Sequence, residues 1–256
     1  MKRNWLIYTI LLFGIQTLFS QNKDMKLAHL NSIFQVKGFI ANDINTFNET
    51  DLSKIISNKI EYDGDSRSSY SGVFGAKFQR IDFHLQLQKQ DSTSRTYNVI
   101  GKNRLGTNIR DIFGSMTITG VLKYKEKFYD LDLFLVIFDC SFYENGDKQS
   151  DGVFNGVYTT FIVFIDNEFE WFHSDSGDFC EYNSVFVGDW RKYNSAEIKT
   201  CIFSFDPVGL YNELPYCENF YDPIESRGCE DNVSVGKNFL KYGWEDYEKT
   251  HAQKWW

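Results

Sequence analysis

The sequence predicts a mainly β protein, either an antiparallel up-and-down barrel or a sandwich, with about eight or nine strands. Short runs of alternating apolar and polar residues fill the middle of the chain, with turn residues between them. Consecutive runs are not separated by a helix of crossover length, which argues against a doubly wound parallel sheet. At 256 residues and 42% hydrophobic composition, the chain is long enough and apolar enough to bury a core.

We expect four parts along the chain. Residues 1–20 form a signal peptide, and residues 21–69 form an N-terminal extension with short helices. Residues 70–205 form the antiparallel β domain. Residues 206–256 form a cysteine-bearing loop and a C-terminal helix that packs on the β domain.

The first residues have the pattern of a secretory signal. Lys2 and Arg3 give a basic start, an apolar run extends from residue 5 to residue 19, and Ser20 precedes the expected cleavage point before Gln21. The apolar run is shorter than the ~20 residues of a spanning helix, so we expect no stable membrane insertion. The predicted location is outside the cell or in the periplasm.

The N-terminal extension contains two short helical patterns, at residues 25–34 and 51–56. Thr50 directly precedes the second pattern and is its candidate N-cap, because a side-chain hydroxyl can accept a hydrogen bond from the first helical turn.

The clearest strand is at residues 81–88, where Ile81, Phe83, Leu85 and Leu87 alternate with polar residues. Asp166-Asn167 is a candidate hairpin turn. The run at residues 131–138 is apolar on both faces and should be covered on both sides. The other predicted strands lie at residues 72–78, 96–100, 115–124, 128–138, 156–165, 168–173, 185–191 and 200–205.

The C-terminal helix is predicted at residues 238–254, with Phe239, Leu240, Trp244 and Tyr247 on the face that packs against the sheet. Gly243 lowers the helix propensity inside this segment.

Five cysteines lie in the second half of the chain, and an exported protein meets an oxidising compartment. At most two disulfides can form. Cys217–Cys229 is the predicted pair, because prolines and Gly228 mark its surroundings as a turn-rich loop that a disulfide would restrain. Cys180 and Cys201 are alternative partners. The spacing contains no C-x-x-C pair, which argues against a zinc ribbon or a thioredoxin-type site.

The chain has 35 acidic and 27 basic residues, a formal charge of −8, which becomes −10 when Lys2 and Arg3 are removed with the signal. This sign argues against a nucleic-acid partner.

The sequence contains none of the common catalytic motifs: no G-x-S-x-G elbow, no H-E-x-x-H helix and no glycine-rich phosphate loop. His173 is followed by hydroxyl and carboxylate residues, but neighbours in one strand face opposite sides and do not converge as a triad. His84 is expected on the solvent face of its strand. We therefore predict no catalytic residues and no cofactor.

A metal site is also not predicted. The four histidines are dispersed along the chain. Asp147 to Gly152 imitates the start of a calcium loop, but Tyr158 occupies the position where the twelfth ligand is needed. Asp63-Gly64-Asp65 and the run from Asp175 to Asp178 are more typical of turns.

Four short motifs are spread over the β region: Tyr70-Ser71-Gly72-Val73-Phe74, Tyr97-Asn98-Val99-Ile100-Gly101, Asp151-Gly152-Val153-Phe154 and Gly188-Asp189-Trp190. They resemble the Y-x-G-x-F, Y-x-V-x-G, D-G-x-F and G-x-W pattern of secreted bacterial lipocalin-like barrel proteins. The resemblance covers about residues 70–193. It implies an up-and-down barrel that encloses a small apolar ligand, usually without enzymatic activity, and it carries over no ligand-binding residue.

Aromatic residues make up 18% of the chain, and they serve either as core filling or as the lining of a ligand site. The predicted function is a secreted, non-enzymatic binding module for a small apolar or glycan ligand, whose binding residues the sequence does not identify. One alternative is a cell-envelope interaction or inhibitor protein. Another is a hydrolase with an unrecognised carboxylate pair.

Overall fold

A computed structural model describes residues 25–57, 60–62, 65–67, 69–172, 182–205, 235–250 and 253–256. The strands are β1 Phe39–Ala41, β2 Ile60–Tyr62, β3 Asp65–Arg67, β4 Tyr70–Phe74, β5 Gln79–Lys89, β6 Thr96–Leu105, β7 Asn108–Tyr124, β8 Asp132–Glu144, β9 Gly152–Ile165, β10 Glu168–Trp171, β11 Val185–Lys192 and β12 Ile198–Ser204. The helical segments are α1 at residues 25–35, a 3-10 turn at Ile44–Phe47, α2 Ser53–Ile56, α3 Lys237–Phe239, a π-type turn at Leu240–Trp244 and α4 Tyr247–Thr250.

Eight strands pair in an antiparallel ring, in the order β4-β5-β6-β7-β8-β9-β11-β12. Strand β12 pairs with β4 and closes the ring. Strands β1 and β10 pair with the ends of β7 and β9. The predicted antiparallel β class is confirmed, and the closed pairing has the up-and-down order of a barrel.

All nine predicted strands are present, with shifted ends. Strand β4 ends at Phe74, so the predicted strand at residues 72–78 is wrong beyond that residue. The chain turns there because Gly75 and Phe78 have φ values of 66° and 51°. Asp166 and Asn167 have φ values of 50° and 68°, which confirms the predicted hairpin turn.

The apolar run of β8 alternates between two covered faces. Phe134, Val136 and Phe138 face the barrel interior, where they join the central core. Leu133, Leu135 and Ile137 face outward, where they pack with Ile33 of α1. The predicted cover on both sides is confirmed, and it stabilises this strand because apolar area leaves water on both faces.

One end of the barrel is covered by residues 44–56, which we name the closing segment. Phe47, Leu52 and Ile56 of this segment are buried in the central core. The Tyr97 hydroxyl donates to the carbonyl of Thr50 at 3.0 Å and accepts from the Leu52 amide at 3.2 Å.

The predicted N-cap of the second helix is wrong. Leu52 precedes α2 without a side-chain cap, and the carboxylate of Asp51 accepts a hydrogen bond from the Ser53 amide at 2.9 Å. Thr50 is instead held by its carbonyl, which Tyr97 and Lys89 contact, so its position is set by the barrel rather than by the helix.

The predicted C-terminal helix is broken. Tyr242 and Gly243 have non-helical backbone angles, and Gly243 has a φ of 95°, which separates α3 from α4. The segment nevertheless packs on the outside of the barrel, where Trp244 and Tyr247 contact the core cluster that contains Val73 and Val187. The indole of Trp244 also donates to the Phe78 carbonyl at 2.8 Å.

Two cysteines lie within the described residues. Cys140 and Cys201 are buried free thiols on β8 and β12. A disulfide of this chain would therefore use Cys180, Cys217 or Cys229, and the predicted maximum of two falls to one. The predicted Cys217–Cys229 pair lies outside the described residues, as does the predicted signal at residues 1–20.

Candidate functional site

The open end of the barrel lies opposite the closing segment and is formed by four hairpin turns, at residues 75–78, 106–107, 145–151 and 193–197. A cavity of about 180 Å³ lies at this end. Its apolar wall contains Phe74, Ile81, Phe154 and Trp190, and its polar wall contains Asn103, Arg110 and Glu144. Lys192, Glu197 and Lys199 form its rim.

Glu144 is the central polar residue of the open end. It is the last residue of β8 and follows the inward positions of Phe138, Cys140 and Phe142, so the strand period directs its carboxylate inward. It is only 3% exposed. Its Oε1 accepts a hydrogen bond from Asn103 Nδ2 at 2.9 Å. Its Oε2 accepts from the Gly152 amide at 2.7 Å and from Trp190 Nε1 at 3.0 Å.

Arg110 joins Glu144 to a second buried carboxylate. Its Nε donates to Asp151 Oδ1 at 3.0 Å and lies 3.6 Å from Glu144 Oε1. Its Nη2 donates to Ser150 Oγ at 2.9 Å, and the Lys148 amide donates to Asp151 Oδ2 at 3.0 Å. Buried charges are tolerated when they are paired and hydrogen-bonded in this way.

The side chain of Asn103 contains a buried hydrogen-bond acceptor that receives no hydrogen bond from the described residues. Its side-chain nitrogen is held by Glu144, which fixes the orientation of the amide. Its Oδ1 is buried and has no hydrogen-bond partner among the described residues. A buried carbonyl oxygen without a donor costs about 1–3 kcal/mol, and a ligand donor would recover this energy once the surrounding side chains shift to admit it, since Oδ1 has almost no accessible surface.

The rim carries charges of both signs. Lys199 Nζ lies 2.9 Å from Glu197 Oε1, and this contact lowers the pKa of Glu197. The same ammonium lies 5.3 Å and 5.2 Å from the ring centres of Phe74 and Trp190. The Lys199 ammonium group therefore makes cation–π contacts with both rings of the aromatic wall.

The aromatic wall is built by residues of three of the four short sequence motifs. Phe74 packs against Trp190 with ring centres 5.5 Å apart, and against Phe154 at 6.4 Å. Gly152 is required beside them because an added Cβ would overlap the Trp190 indole. Residues of the Y-x-G-x-F, D-G-x-F and G-x-W motifs thus meet at the open end.

Sequence reasoning missed Glu144 and Arg110. A charged residue at an inward position of a strand is the signal that could have identified Glu144, since the inward phase of β8 is otherwise apolar. Arg110 lies before residue 115, where its strand was predicted to start. The sequence therefore did not predict whether its side chain faces the barrel interior or the solvent.

The open end does contain a pair of buried carboxylates, Glu144 and Asp151. Protein donors contact all four of their oxygens. The geometry therefore does not assign them the acid and base roles of a hydrolase. Asp151, in the sequence that imitates a calcium loop, is bonded to Arg110.

The predicted solvent-face residue His84 lies on the outside of the barrel, stacked on Trp256 with ring centres 4.2 Å apart. His173 lies outside the described residues, so the argument against a triad there stays a prediction. The acidic runs at residues 63–65 and 175–178 also include positions outside the described residues, and their roles as turns stay predictions.

Comparison of the chain with protein-family models, with curated proteins and with solved structures finds no match. Among the residues that the structure describes, no helix has the length and apolar character needed to cross a membrane.

Proposed function

We propose that this protein is a non-enzymatic binding module that takes a small hydroxylated ligand, such as a single sugar ring, at the open end of the barrel. The observation that carries the proposal is the buried, unpartnered Oδ1 of Asn103, a residue of the polar wall of a cavity whose other wall is aromatic. Binding sites of small molecules combine apolar lining with a few placed polar groups in this way.

The size of the cavity favours a small ligand. Its volume of about 180 Å³ is below the roughly 300–1,000 Å³ of sites for drug-sized molecules. Beneath it, the barrel interior is occupied by buried aromatic side chains, including Phe83, Phe186 and Phe203. These rings occupy the space that a long apolar ligand would need, which supports the glycan alternative over the apolar one.

The charges of the cavity favour a neutral ligand. Arg110, Lys192 and Lys199 are balanced by Glu144, Asp151 and Glu197. A hydroxyl group can donate to Asn103 Oδ1 without bringing a net charge that this balanced set would have to compensate.

Binding can be tested by isothermal titration calorimetry with glucose, galactose and N-acetylglucosamine, and with lauric acid as the apolar probe. We expect at least one sugar to bind and lauric acid not to bind. Asn103→Leu should abolish sugar binding, because it removes the open acceptor. Asn108→Leu, at an exposed position at the start of β7, should bind as the wild type does.

Circular dichroism should establish that both variants are folded. The proposal is wrong if the wild type binds none of the three sugars, or if folded Asn103→Leu binds them unchanged.

A further inference from the structure

Beyond the open end, the outer surface of the barrel carries a row of exposed apolar side chains. Ile100 of β6 is paired with Phe113 of β7, and Phe113 is paired with Tyr143 of β8, which is paired with Val153 of β9. We name these four residues the outer row. Ile100, Phe113 and Tyr143 are 60%, 47% and 40% exposed.

The two rings of the outer row stack against each other on the outer surface. Phe113 and Tyr143 have ring centres 5.9 Å apart and planes within 21° of each other. Since adjacent strands lie about 4.8 Å apart, four paired positions span roughly 14 Å. The outer row is therefore a narrow strip that could accommodate a short extended chain.

A polar row runs parallel to this strip, two residues away on each strand. The register pairs Asn98 with Ser115, Ser115 with Ser141 and Ser141 with Asn155. Ser141 Oγ donates to Asn155 Oδ1 at 2.7 Å, and Asn98 and Asn155 are exposed. Hydroxyl and amide groups both donate and accept hydrogen bonds, as the hydroxyls of a sugar do.

Other outer surfaces of the barrel are covered by the chain itself. Helix α1 packs over the outward residues of β8 and β9, and the C-terminal segment packs over those of β4, β11 and β12. The outer row stays exposed between them, and contiguous exposed apolar side chains mark interaction sites more often than single ones do.

The size of the strip argues against a protein partner or a second copy of the chain. A stable protein interface buries about 800 Å² per partner and involves about 20–30 residues on each side. Four apolar side chains with one polar row are far fewer. A narrow ligand that lies along the strip needs no larger contact.

The charge of the strip argues for a neutral ligand. The two rows contain no acidic or basic side chain of Asp, Glu, Lys, Arg or His. The nearby charges are of both signs: Lys102 Nζ lies 2.5 Å from Asp111, Lys26 Nζ lies 2.6 Å from Asp139, and on β11 Arg191 and Asp189 are the register partners of Val153 and Asn155. Neither an anionic polymer nor an anionic lipid surface finds an excess of cations here.

We propose that the outer row and its polar row bind a neutral saccharide chain, with sugar rings packed against the exposed parts of the stacked Phe113 and Tyr143 side chains and their hydroxyls bonded to Asn155 and Ser141. This site is separate from the cavity at the open end and does not depend on it.

The proposal can be tested by affinity electrophoresis of the full protein in gels that contain laminarin, a neutral β-glucan, or dextran, a neutral α-glucan. Carboxymethylcellulose serves as the anionic comparison. We expect one neutral glucan to retard the wild type more than the anionic polymer does. The double variant Phe113→Ala/Tyr143→Ala should weaken this binding by about tenfold or more, because it removes both rings.

Tyr129→Ala is the matched control, since Tyr129 is 75% exposed and lies outside the strip. It should bind as the wild type does, as should Asn103→Leu at the open end, which separates this site from the proposed sugar site there. All variants are compared after circular dichroism has shown that they are folded.

Three results would overturn the proposal: no retardation by either neutral glucan, equal retardation by the anionic polymer, or unchanged binding by the folded double variant. Sedimentation velocity adds a fourth. A concentration-dependent dimer that the double variant loses would assign the strip to a second copy of the chain.

Discussion

Trp190 donates a hydrogen bond from its indole Nε1 to Oε2 of Glu144 at 3.0 Å, and both side chains are buried at the open end of the barrel. The contact joins β11 to β8, two strands that are not neighbours in the ring. It crosses the barrel interior beside β9, which lies between them. The open end is therefore held by side chains across its width as well as by the backbone pairing.

We expect Glu144→Gln to destabilise the protein by about 2–3 kcal/mol, because hydrogen bonds to a charged group contribute about 1.5–3 kcal/mol and Arg110 loses part of its compensation. Urea unfolding measures this change. Glu126→Gln, at an exposed position, is the control and should change the free energy of unfolding by less than about 0.5 kcal/mol. Equal stability of the two variants would show that the buried carboxylate contributes little.

Gly101→Ala should destabilise the barrel strongly, by roughly 2 kcal/mol or more, because an added Cβ would overlap the carbonyl oxygen of His84 on β5. Gly120→Ala is the matched control. There the nearest atom is the flexible end of the Ile137 side chain at 3.2 Å, which can move. Thermal unfolding should show a clearly larger decrease in Tm for Gly101→Ala, and similar values would contradict the steric argument.

Tyr70→Phe should loosen the closing segment. The Tyr70 hydroxyl donates to the Ile56 carbonyl at 2.8 Å and accepts from the Tyr158 hydroxyl at 3.0 Å, so its loss removes the donor to that carbonyl and the acceptor of the Tyr158 proton. The expected cost is about 1–3 kcal/mol. Hydrogen exchange should become faster at residues 53–57, whereas exposed Tyr129→Phe should leave the exchange unchanged.

The stability of the protein should fall on acidification through His29. Burial of this side chain against the barrel lowers its pKa from 6.5 to about 4. The folded state binds the proton less well than the unfolded state, so the stability is complete above pH 6.5 and is lost as the pH falls from there towards 4. The shift corresponds to roughly 3 kcal/mol.

Denaturant unfolding between pH 7 and pH 4 measures this dependence. His29→Phe removes the titrating group. The slope of the unfolding free energy against pH should then fall by the equivalent of about one bound proton. An unchanged slope in this variant would assign the acid sensitivity to other groups.

The cysteines should differ in reactivity. Burial raises the pKa of the Cys140 and Cys201 thiols, so little thiolate forms at either and access is blocked. Native protein should leave both unmodified by iodoacetamide, and denatured protein should modify both. Non-reducing peptide mapping tests the predicted Cys217–Cys229 disulfide, and a peptide that joins either residue to Cys140 or Cys201 would contradict the buried thiols.

The parts of the fold that could be predicted are the strands whose own residues alternate between apolar and polar. Residues 81–88 alternate because one face of β5 meets the core, whereas the other carries the buried, ion-paired Asp82 near its start and the exposed Gln86 and Gln88 further along. The first half of β7 was missed because Ile109 and Phe113 are apolar on its outer face, which obscures the period of two. Their exposure becomes visible only when the surrounding strands are placed.

The candidate site could be predicted only in part. Asp151, Gly152 and Trp190 belong to motifs that sequence inspection found, but the contact of Arg110 with Glu144 depends on the β7–β8 register, in which Ile112 is paired with Glu144. That pairing joins positions 32 residues apart in the chain. The hydrophobic pattern of a single sequence does not show which residues of two separate strands are paired.

The pairing of β12 with β4 also determines how the protein must fold. Most barrel strands pair with a neighbour in sequence, but this pairing joins Cys201 to Phe74, which are 127 residues apart. Contacts between such distant positions are slow to form, because the loop entropy is lost before the contact stabilises the chain. Until that step, β4 and β12 are open sheet edges that can pair with another chain. The slower the ring closes, the longer these two edges are exposed to other chains, so the time before closure is the stage of folding at which this architecture exposes the protein to aggregation.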